Sequence, residues 1–272
     1  MAKRTVGVAL GSGGAKGFAH VGVLKALDEH HIPVDVVAGS SMGSLIGAFY
    51  STGMRTNFME RLACSMKWRY WVDLTVPRVG LIQGEKIRQM VHMLTRGLNI
   101  EQADKPLAIV ATELMSKSLV VFRTGLIADA VRASISIPGV FVPFVTPEGI
   151  FVDGGVLERV PVSAAKSLGA DVVIGVDVGY PQRNSVPETM LDVVMQSIDI
   201  MQETVYTQRG GDDADVLLRP DLAQIGTSHF QKAAQAIALG YEAALAAMPE
   251  IQQKVQTSTD SDCTDPAHSE LS

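Results

Sequence analysis

Ser41 lies in the segment Gly39-Ser40-Ser41-Met42-Gly43, which fits the pattern G-x-S-x-G. In this pattern the serine occupies a sharp turn between a strand and a helix. Small neighbours leave its hydroxyl exposed near the positive end of that helix. Such a hydroxyl can attack an ester carbonyl, and the helix end stabilises the resulting oxyanion. The alternative is a small-residue turn that only lets the helix pack closely. The apolar runs on both sides favour a nucleophile.

A glycine-rich loop, Gly11–Gly17 (GSGGAKG), precedes the first predicted helix. Backbone N–H groups in such a loop bind anions. A dinucleotide-binding loop starting at Gly11 would need glycine where Lys16 stands, and a P-loop would need glycine where Ala15 stands. Two interpretations remain. One is a plain tight turn, and the other is an oxyanion hole formed by the N–H groups of Gly13 and Gly14.

An aspartate followed by two glycines, Asp153-Gly154-Gly155, comes after a short apolar segment. The glycines let the carboxylate leave the turn unobstructed, although most Asp-Gly pairs are simply turns. A triad in the order Ser, Asp, His would need its histidine after this point. His229 and His268 are the histidines there. His268 falls in a polar C-terminal segment. His229 falls at a predicted helix start, where capping is the simpler explanation.

Alternating strands and helices must position these residues. Short apolar and β-branched runs predict strands at Thr5–Leu10, Val34–Ala38, Leu107–Thr112, Ser118–Arg123, Asp171–Val178 and Asp215–Leu218. Ile150–Val152 leads into the turn Asp153-Gly154-Gly155. Apolar residues at helical spacing predict helices at 18–27, Ser44–Tyr50, Glu85–Thr95, Asp129–Ile137, Ser163–Leu168, Met190–Thr207 and Phe230–Ala247, the last ended by Pro249. The stretch from Thr56 to about Pro77 is less regular. This order predicts an α/β fold with a central, mostly parallel sheet flanked by helices, and a site at the carboxyl ends of the strands.

The composition indicates a globular protein. The chain has 272 residues, of which 47% are hydrophobic and 19% charged, with a net charge of −6. We expect one domain at residues 1–250 and a polar, disordered tail at 251–272.

The acidic balance argues against nucleic acid as a partner. No apolar run reaches the roughly 18 residues that span a bilayer, and the N-terminal one is too short for a signal peptide. Cys64 and Cys263 form no metal motif. We therefore expect a cytoplasmic protein, at most peripheral to the inner face of the membrane.

Taken together, these motifs resemble those of the patatin-like phospholipase family. The matching segments are G-G-A-K-G, G-S-S-M-G and D-G-G, in this order, with A-S-I-S-I-P-G-V-F-V-P at Ala133–Pro143 and V-P-V at Val160–Val162. The chain is most similar to the bacterial single-domain branch that resembles the catalytic domain of neuropathy target esterase. The resemblance spans roughly Val6 to Tyr241. One departure is Gly11-Ser12, where some members have Asp-Gly.

The resemblance implies a Ser–Asp dyad in place of a triad, acting on (lyso)phospholipids or related acyl esters. Ser41 would attack the carbonyl, and Asp153 would take its proton. Gly13 and Gly14 would hold the oxyanion, and Lys16 occupies the family's usual Arg/Lys position in that loop. No metal or cofactor is implied, because this chemistry needs only a nucleophile, a base and oxyanion donors. An aspartate at its ordinary pKa of about 3.9 is a poor base, so either burial beside Ser41 raises that pKa or the oxyanion hole supplies most of the rate.

Two alternative functions stay open at this point. One is a Ser-His carboxylesterase of small esters, with His229 as the base. The other is a non-catalytic regulator that keeps the fold, which would not need the serine, the aspartate and the glycine loop together. The sequence gives neither the head group, the acyl-chain length nor the oligomeric state.

The segment from about Thr56 to Gly80 is a candidate for lipid contact. It holds Trp68, Tyr70 and Trp71 beside basic residues, and aromatic rings next to cations suit a membrane interface. A core or lid segment packed over the site is an equal alternative.

Overall fold

The computed structural model describes residues 4–65, 72–73, 80–179, 190–208 and 213–256. Within these ranges eight α-helices occur: α1 Ala19–Glu29, α2 Met42–Ser51, α3 Thr56–Ser65, α4 Glu85–Leu94, α5 Ile127–Ser134, α6 Val162–Ser167, α7 Met190–Gln208 and α8 Ala233–Gln256. The same ranges hold the strands β1 Val6–Leu10, β2 Val36–Ser40, β3 Leu107–Glu113, β4 Ser118–Phe122, β5 Phe144–Thr146, β6 Gly149–Asp153, β7 Val172–Val176 and β8 Val216–Leu218.

The described strands form one eight-stranded sheet in the order β5-β6-β3-β2-β1-β7-β8, with β4 also paired to β3. Its centre is parallel, from β3 through β2, β1 and β7 to β8. The strands β4, β5 and β6 pair in antiparallel fashion. Strands covered on both faces are largely apolar. The strands β1, β2, β3 and β7 are buried at every position, including the polar residues that end β2 and β3. The predicted mostly parallel α/β sheet is therefore confirmed.

Helices cover both faces of the sheet. Val8 and Leu10 of β1 belong to the larger core, which also contains residues of α1, α2, α5 and α8. Ala9, between them, belongs to a smaller core with residues of α6. Because alternate residues of a strand point to opposite faces, these two cores lie on opposite sides of the sheet. The result is a three-layer arrangement of helices, sheet and helices.

The register of β3 brings two strand ends together. On one edge, β4 pairs with Ile109–Glu113. The opposite edge is therefore shared: β2 runs parallel as far as Ser40 opposite Val110, and β6 runs antiparallel with Asp153 opposite Ala111. The carboxyl ends of β2 and β6 thus meet at consecutive positions of β3. Ser41, which directly follows β2, and Asp153, which ends β6, are thereby brought close together although they lie far apart in the chain.

Two predictions about the helices need correction. Thr56–Ser65 is a regular helix, α3, because Met59 and Ala63 are buried against the core at helical spacing. The last helix does not end at Pro249 but continues through it to Gln256. Proline at this position removes one backbone hydrogen bond. The burial of Met248 and Ile251 on either side keeps the helix on the core nonetheless. Most other predicted bounds hold within a few residues.

Candidate active site

Ser41 forms a strained turn between β2 and α2. Its φ of 52° and ψ of −121° are sparsely populated for a residue with a side chain. The flanking glycines make this turn sterically feasible. A Cβ on Gly43 would lie 2.0 Å from the Leu10 carbonyl oxygen, and one on Gly39 would lie 2.5 Å from the Gly43 carbonyl oxygen. Both glycines of the motif are therefore needed for close approach of backbone, as a nucleophile elbow requires.

Hydrogen bonds hold the strained serine in place. The Ser41 N–H donates to Oγ of Ser134 at 2.8 Å, and Oγ of Ser44 donates to the Ser41 carbonyl at 2.7 Å. Ser134 is the last residue of α5 and is fully buried. Ser41 itself is only 4% exposed and precedes the first turn of α2, so it lies at the positive end of that helix.

Asp153 is the last residue of β6, whose end meets the end of β2 on β3. Its N–H donates to the Ser136 carbonyl at 2.9 Å, and Oγ1 of Thr112 donates to the Asp153 carbonyl at 3.1 Å. In the side chain, Oδ1 accepts the N–H of Gly155 at 2.8 Å. A Cβ on Gly154 would lie 2.3 Å from the Val110 carbonyl oxygen, so glycine lets this turn pack on β3. These hydrogen bonds thus fix both the backbone of Asp153 and one of its carboxylate oxygens.

The other carboxylate oxygen of Asp153 is unsatisfied. Oδ2 is buried and has no hydrogen-bond partner among the described residues. Burial raises the pKa of Asp153 to about 7. The nearby Ser41 hydroxyl and the Gly155 N–H act in the opposite direction, while the charge of Asp199 adds to the increase. A carboxylate with this pKa has one oxygen fixed and one oxygen available as a base.

The glycine loop is tied down on both sides of Gly13 and Gly14. The Ser12 N–H donates to the Arg159 carbonyl at 2.9 Å, and the Ala15 N–H donates to the Thr227 carbonyl at 2.8 Å. Between them, the N–H groups of Gly13 and Gly14 donate to no acceptor within the described ranges. Gly14 has φ of +55°, a conformation that favours glycine. Among the described residues, two backbone donors are thereby left without an acceptor in a loop that is hydrogen-bonded on both sides.

His20 supports this loop through a hydrogen bond to its first residue, Gly11. It is fully buried, and its Nε2 lies 2.8 Å from the Gly11 carbonyl oxygen. Burial lowers the pKa of His20 to about 4, so the ring is neutral and its Nε2–H donates to that carbonyl. This histidine orients the loop.

The serine, the aspartate and the glycine loop line one pocket. It has about 300 Å³ of empty space and is partly open to solvent. Its lining consists of Ser12, Gly13, Gly14, Ser41, Ile137, Asp153, Ile198, Asp199 and Gln202. The sequence-predicted Ser41, Asp153, Gly13 and Gly14 are therefore brought together. Ile198, Asp199 and Gln202 come from α7 and were missed, because no motif marks them. Ser134 and Ile137 lie in the segment Ala133–Pro143, one of the segments that carry the family resemblance.

The supporting motif residues lie beneath or beside the pocket. Gly17 packs on α2, where a Cβ would lie 2.4 Å from Cγ of Met42. Lys16 is buried and is not a lining residue. Burial lowers the pKa of Lys16, while the charges of Asp199 and Asp177 raise it. Gly155 packs on Ser12 and Gln202, where a Cβ would approach their polar atoms to 2.6 and 2.8 Å.

His229 belongs to a turn and is not a lining residue of this pocket. Its Nδ1 accepts the N–H of Gly226 at 3.0 Å, and its own N–H donates to the Gly226 carbonyl at 3.0 Å. His229 directly precedes the short 3-10 helix Phe230–Lys232, but its side chain makes no capping hydrogen bond to that helix. The capping role that the sequence suggested is therefore wrong, and the side chain closes the preceding turn instead. His268, Trp68, Tyr70 and Trp71 lie outside the described residues.

No helix among the described residues is long and apolar enough to cross a membrane. No group of three or more His, Cys, Asp or Glu side chains within the described ranges is arranged to hold a metal ion.

The fold and the site define an α/β protein with a serine on a strand-turn-helix elbow and a buried aspartate in one pocket. The chain belongs to the patatin-like phospholipase family, whose model matches residues 8–166. The lysophospholipase NTE1 of Coccidioides immitis is 36% identical over 190 residues, which are 67% of this chain and 12% of that protein. An uncharacterized NTE family protein of Mycobacterium tuberculosis is 37% identical over 174 residues, 63% of this chain and 48% of that protein. The chain thus spans a minor part of these relatives.

Solved structures share the fold at low sequence identity. VipD from Legionella pneumophila has a TM-score of 0.65 at 14% identity, covering 91% of this chain and 67% of that one. The type III effector protein ExoU has a TM-score of 0.51 at 14% identity, covering 94% of this chain and 54% of that one. At this identity the likeness concerns the fold alone.

Proposed function

We propose that the protein is a serine hydrolase that cleaves acyl esters of (lyso)phospholipids or related lipids through a Ser41–Asp153 dyad. One observation carries this proposal: a strained elbow serine and a buried carboxylate with a free oxygen share a pocket with two unpaired backbone N–H groups. Nucleophile, base and oxyanion donors are the groups that acyl transfer requires.

In the acylation step, Oγ of Ser41 forms a bond to the ester carbonyl carbon and its proton passes to Oδ2 of Asp153. The carbonyl oxygen becomes an oxyanion, which accepts hydrogen bonds from the N–H groups of Gly13 and Gly14. When the carbon–oxygen bond to the alcohol breaks, the proton on Asp153 passes to the departing alkoxide. The products of this step are a free alcohol and an acyl-serine.

In the deacylation step, water attacks the acyl-serine and gives a proton to Asp153, which returns it to Ser41 as the fatty acid leaves. A base is most effective when its pKa lies near the working pH. The raised pKa of Asp153, about 7, meets this condition and answers the difficulty that an ordinary aspartate presents. The Gly155 N–H keeps the carboxylate oriented through both steps.

The lipid nature of the substrate rests on two supports. Ile137 and Ile198 add apolar surface to a pocket whose other lining is polar or glycine, and an acyl chain suits such surface. Relatives such as the lysophospholipase NTE1 of Coccidioides immitis carry the same domain within a longer chain. Head group and chain length stay outside the proposal.

The deciding experiment maps the residue labelled by a fluorophosphonate probe and measures ester hydrolysis. Labelling should occur on Ser41, and Ser41→Ala should abolish labelling and hydrolysis in a folded protein. Asp153→Asn should lower kcat/KM by several orders of magnitude, as loss of such a partner does in triads. His229→Ala is the matched control and should keep activity. Full hydrolysis by folded Ser41→Ala would refute the proposal. Loss in His229→Ala with activity in Asp153→Asn would favour the Ser-His carboxylesterase.

A further inference from the structure

Helix α7 turns acidic and amide groups toward the protein and leaves three large apolar side chains exposed on its outer side. On the inner side, Asp199 and Gln202 line the pocket, and Glu203 forms an ion pair with the buried Arg159. Gln202 also accepts a hydrogen bond from Oγ of Ser12 at 3.3 Å. A helix on the surface of a protein in water usually shows the reverse arrangement, with charges outside.

The outer side of α7 is an uncharged stripe. Val193, Ile200 and Met201 are 51%, 64% and 59% exposed. The other exposed side chains that the structure describes on this helix are Ser197, Thr204 and Thr207. Successive members are one to four residues apart and lie on one face of the helix. None of these described, exposed side chains is charged.

Two of the three hydroxyl groups in this outer stripe, those of Ser197 and Thr204, need no partner from solvent. Oγ of Ser197 donates to the Val193 carbonyl at 2.7 Å, and Oγ1 of Thr204 donates to the Ile200 carbonyl at 2.9 Å. Back-bonding of this kind satisfies the hydroxyl within its own helix. Covering the stripe with an apolar phase would therefore leave these two donors paired.

We propose that the outer stripe of α7, comprising Val193, Ser197, Ile200, Met201, Thr204 and Thr207, docks on the hydrocarbon border of a lipid layer. The inference rests on the proposed function, because the opposite face of the same helix is a wall of the proposed ester pocket. Docking there would hold the pocket at the layer that contains its substrate. Contiguous exposed apolar surface marks a site of interaction, and the absence of charge on this stripe selects an apolar occupant.

The charge of the protein indicates which kind of lipid vesicle should be sufficient for docking. With a net charge of −6 and no cation on the described part of the stripe, attraction to anionic head groups does not drive docking. Binding by apolar burial alone should occur on zwitterionic vesicles and should change little with salt.

The test is flotation of the protein with phosphatidylcholine vesicles. Binding is measured in a Ser41→Ala background, so that the vesicles stay intact. Ile200→Glu combined with Met201→Glu should lower the partition coefficient at least about tenfold, because each side chain loses apolar burial and gains a charge. Met93→Glu is the matched control, since Met93 is 68% exposed on α4, and it should bind as the parent does.

A second arm uses the Ser41-containing protein and a short, water-soluble ester. The stripe variants should hydrolyse it within about twofold of wild type, because their changes lie on the outer face of α7, and should lose activity only on vesicles. Failure of the Ser41→Ala parent to bind vesicles, with soluble-ester hydrolysis intact in the wild type, would overturn the docking proposal and leave the proposed function standing. Vesicle binding by the stripe variants at the parent level would also overturn it. So would a wild-type dimer that Ile200→Glu converts to monomer, since a second copy would then cover the stripe.

Discussion

The buried carboxyl group of Asp153 should make the protein less stable as the pH rises, and Asp153→Asn should remove this loss. Burial raises the pKa of Asp153 in the folded protein to about 7, from an ordinary value of 3.8. Between these values the folded state holds a proton that the unfolded chain has released. The free energy of unfolding therefore falls as the pH rises through this window. Above the folded-state pKa both states are ionised, and the loss is complete.

The size of the effect follows from the two pKa values. An increase from 3.8 to about 7 corresponds to a total of about 4 kcal/mol, of which about 3 kcal/mol falls between pH 5 and pH 8. Asparagine is neutral throughout and keeps an oxygen for the Gly155 N–H. Asp153→Asn should therefore gain about 3 kcal/mol in stability relative to wild type between these pH values, while losing hydrolysis.

Urea unfolding of both proteins at pH 5 and pH 8 measures this difference, because the other titrating groups are shared and cancel. Asp221→Asn, which changes an exposed turn carboxylate, is the control for simple loss of a charge. A stability difference between wild type and Asp153→Asn that is the same at both pH values would refute the reasoning. It would mean that the folded protein does not hold the proton on Asp153.

Three further predictions concern the surroundings of the dyad. The charge of Asp199 raises the pKa of Asp153, so Asp199→Asn should move the acid limb of the kcat/KM profile to lower pH; an unmoved limb would contradict this. Ser134→Ala leaves the buried Ser41 N–H without its acceptor and should cost roughly 1–3 kcal/mol in urea unfolding and slow fluorophosphonate labelling. Labelling at the wild-type rate would show that Ser134 does not hold the elbow. Gly43→Ala places a Cβ 2.0 Å from the Leu10 carbonyl oxygen and should sharply lower the melting temperature, so wild-type melting would contradict the close-approach argument.

The parts of the site that the sequence predicts are those that depend on neighbouring residues. The elbow around Ser41 needs small residues on both sides of the serine, and the pattern shows them directly. The glycine loop is similar, since Gly14 adopts positive φ and steric limits reserve that conformation largely for glycine. The apolar runs of the parallel strands also predict their own burial.

The parts that the sequence could not predict depend on pairing between distant segments. Nothing near Asp153 indicates that β6 shares an edge of β3 with β2, yet this register alone brings the aspartate to Ser41. Asp199 and Gln202 likewise reach the pocket only because α7 packs across it, and a helix pattern does not say which face covers a site. The prediction that the last helix ends at Pro249 is wrong for a related reason. Burial of Met248 and Ile251 in the core outweighs the local effect of the proline.

On the proposed mechanism, burial explains how a dyad dispenses with a histidine. An ordinary histidine has a pKa of about 6.5, which is why it serves as a base near neutral pH. The pKa of Asp153 reaches about 7 because the effect of burial exceeds that of the Ser41 hydroxyl and the Gly155 N–H, so the carboxylate holds a proton about as tightly as a free imidazole. In a triad, an aspartate orients the histidine; here the Gly155 N–H, at 2.8 Å from Oδ1, orients the carboxylate. The energetic consequence is a less stable folded state at neutral pH, added to the strained backbone of Ser41. The covered sheet beneath both residues must therefore be stable enough to hold the two of them in place.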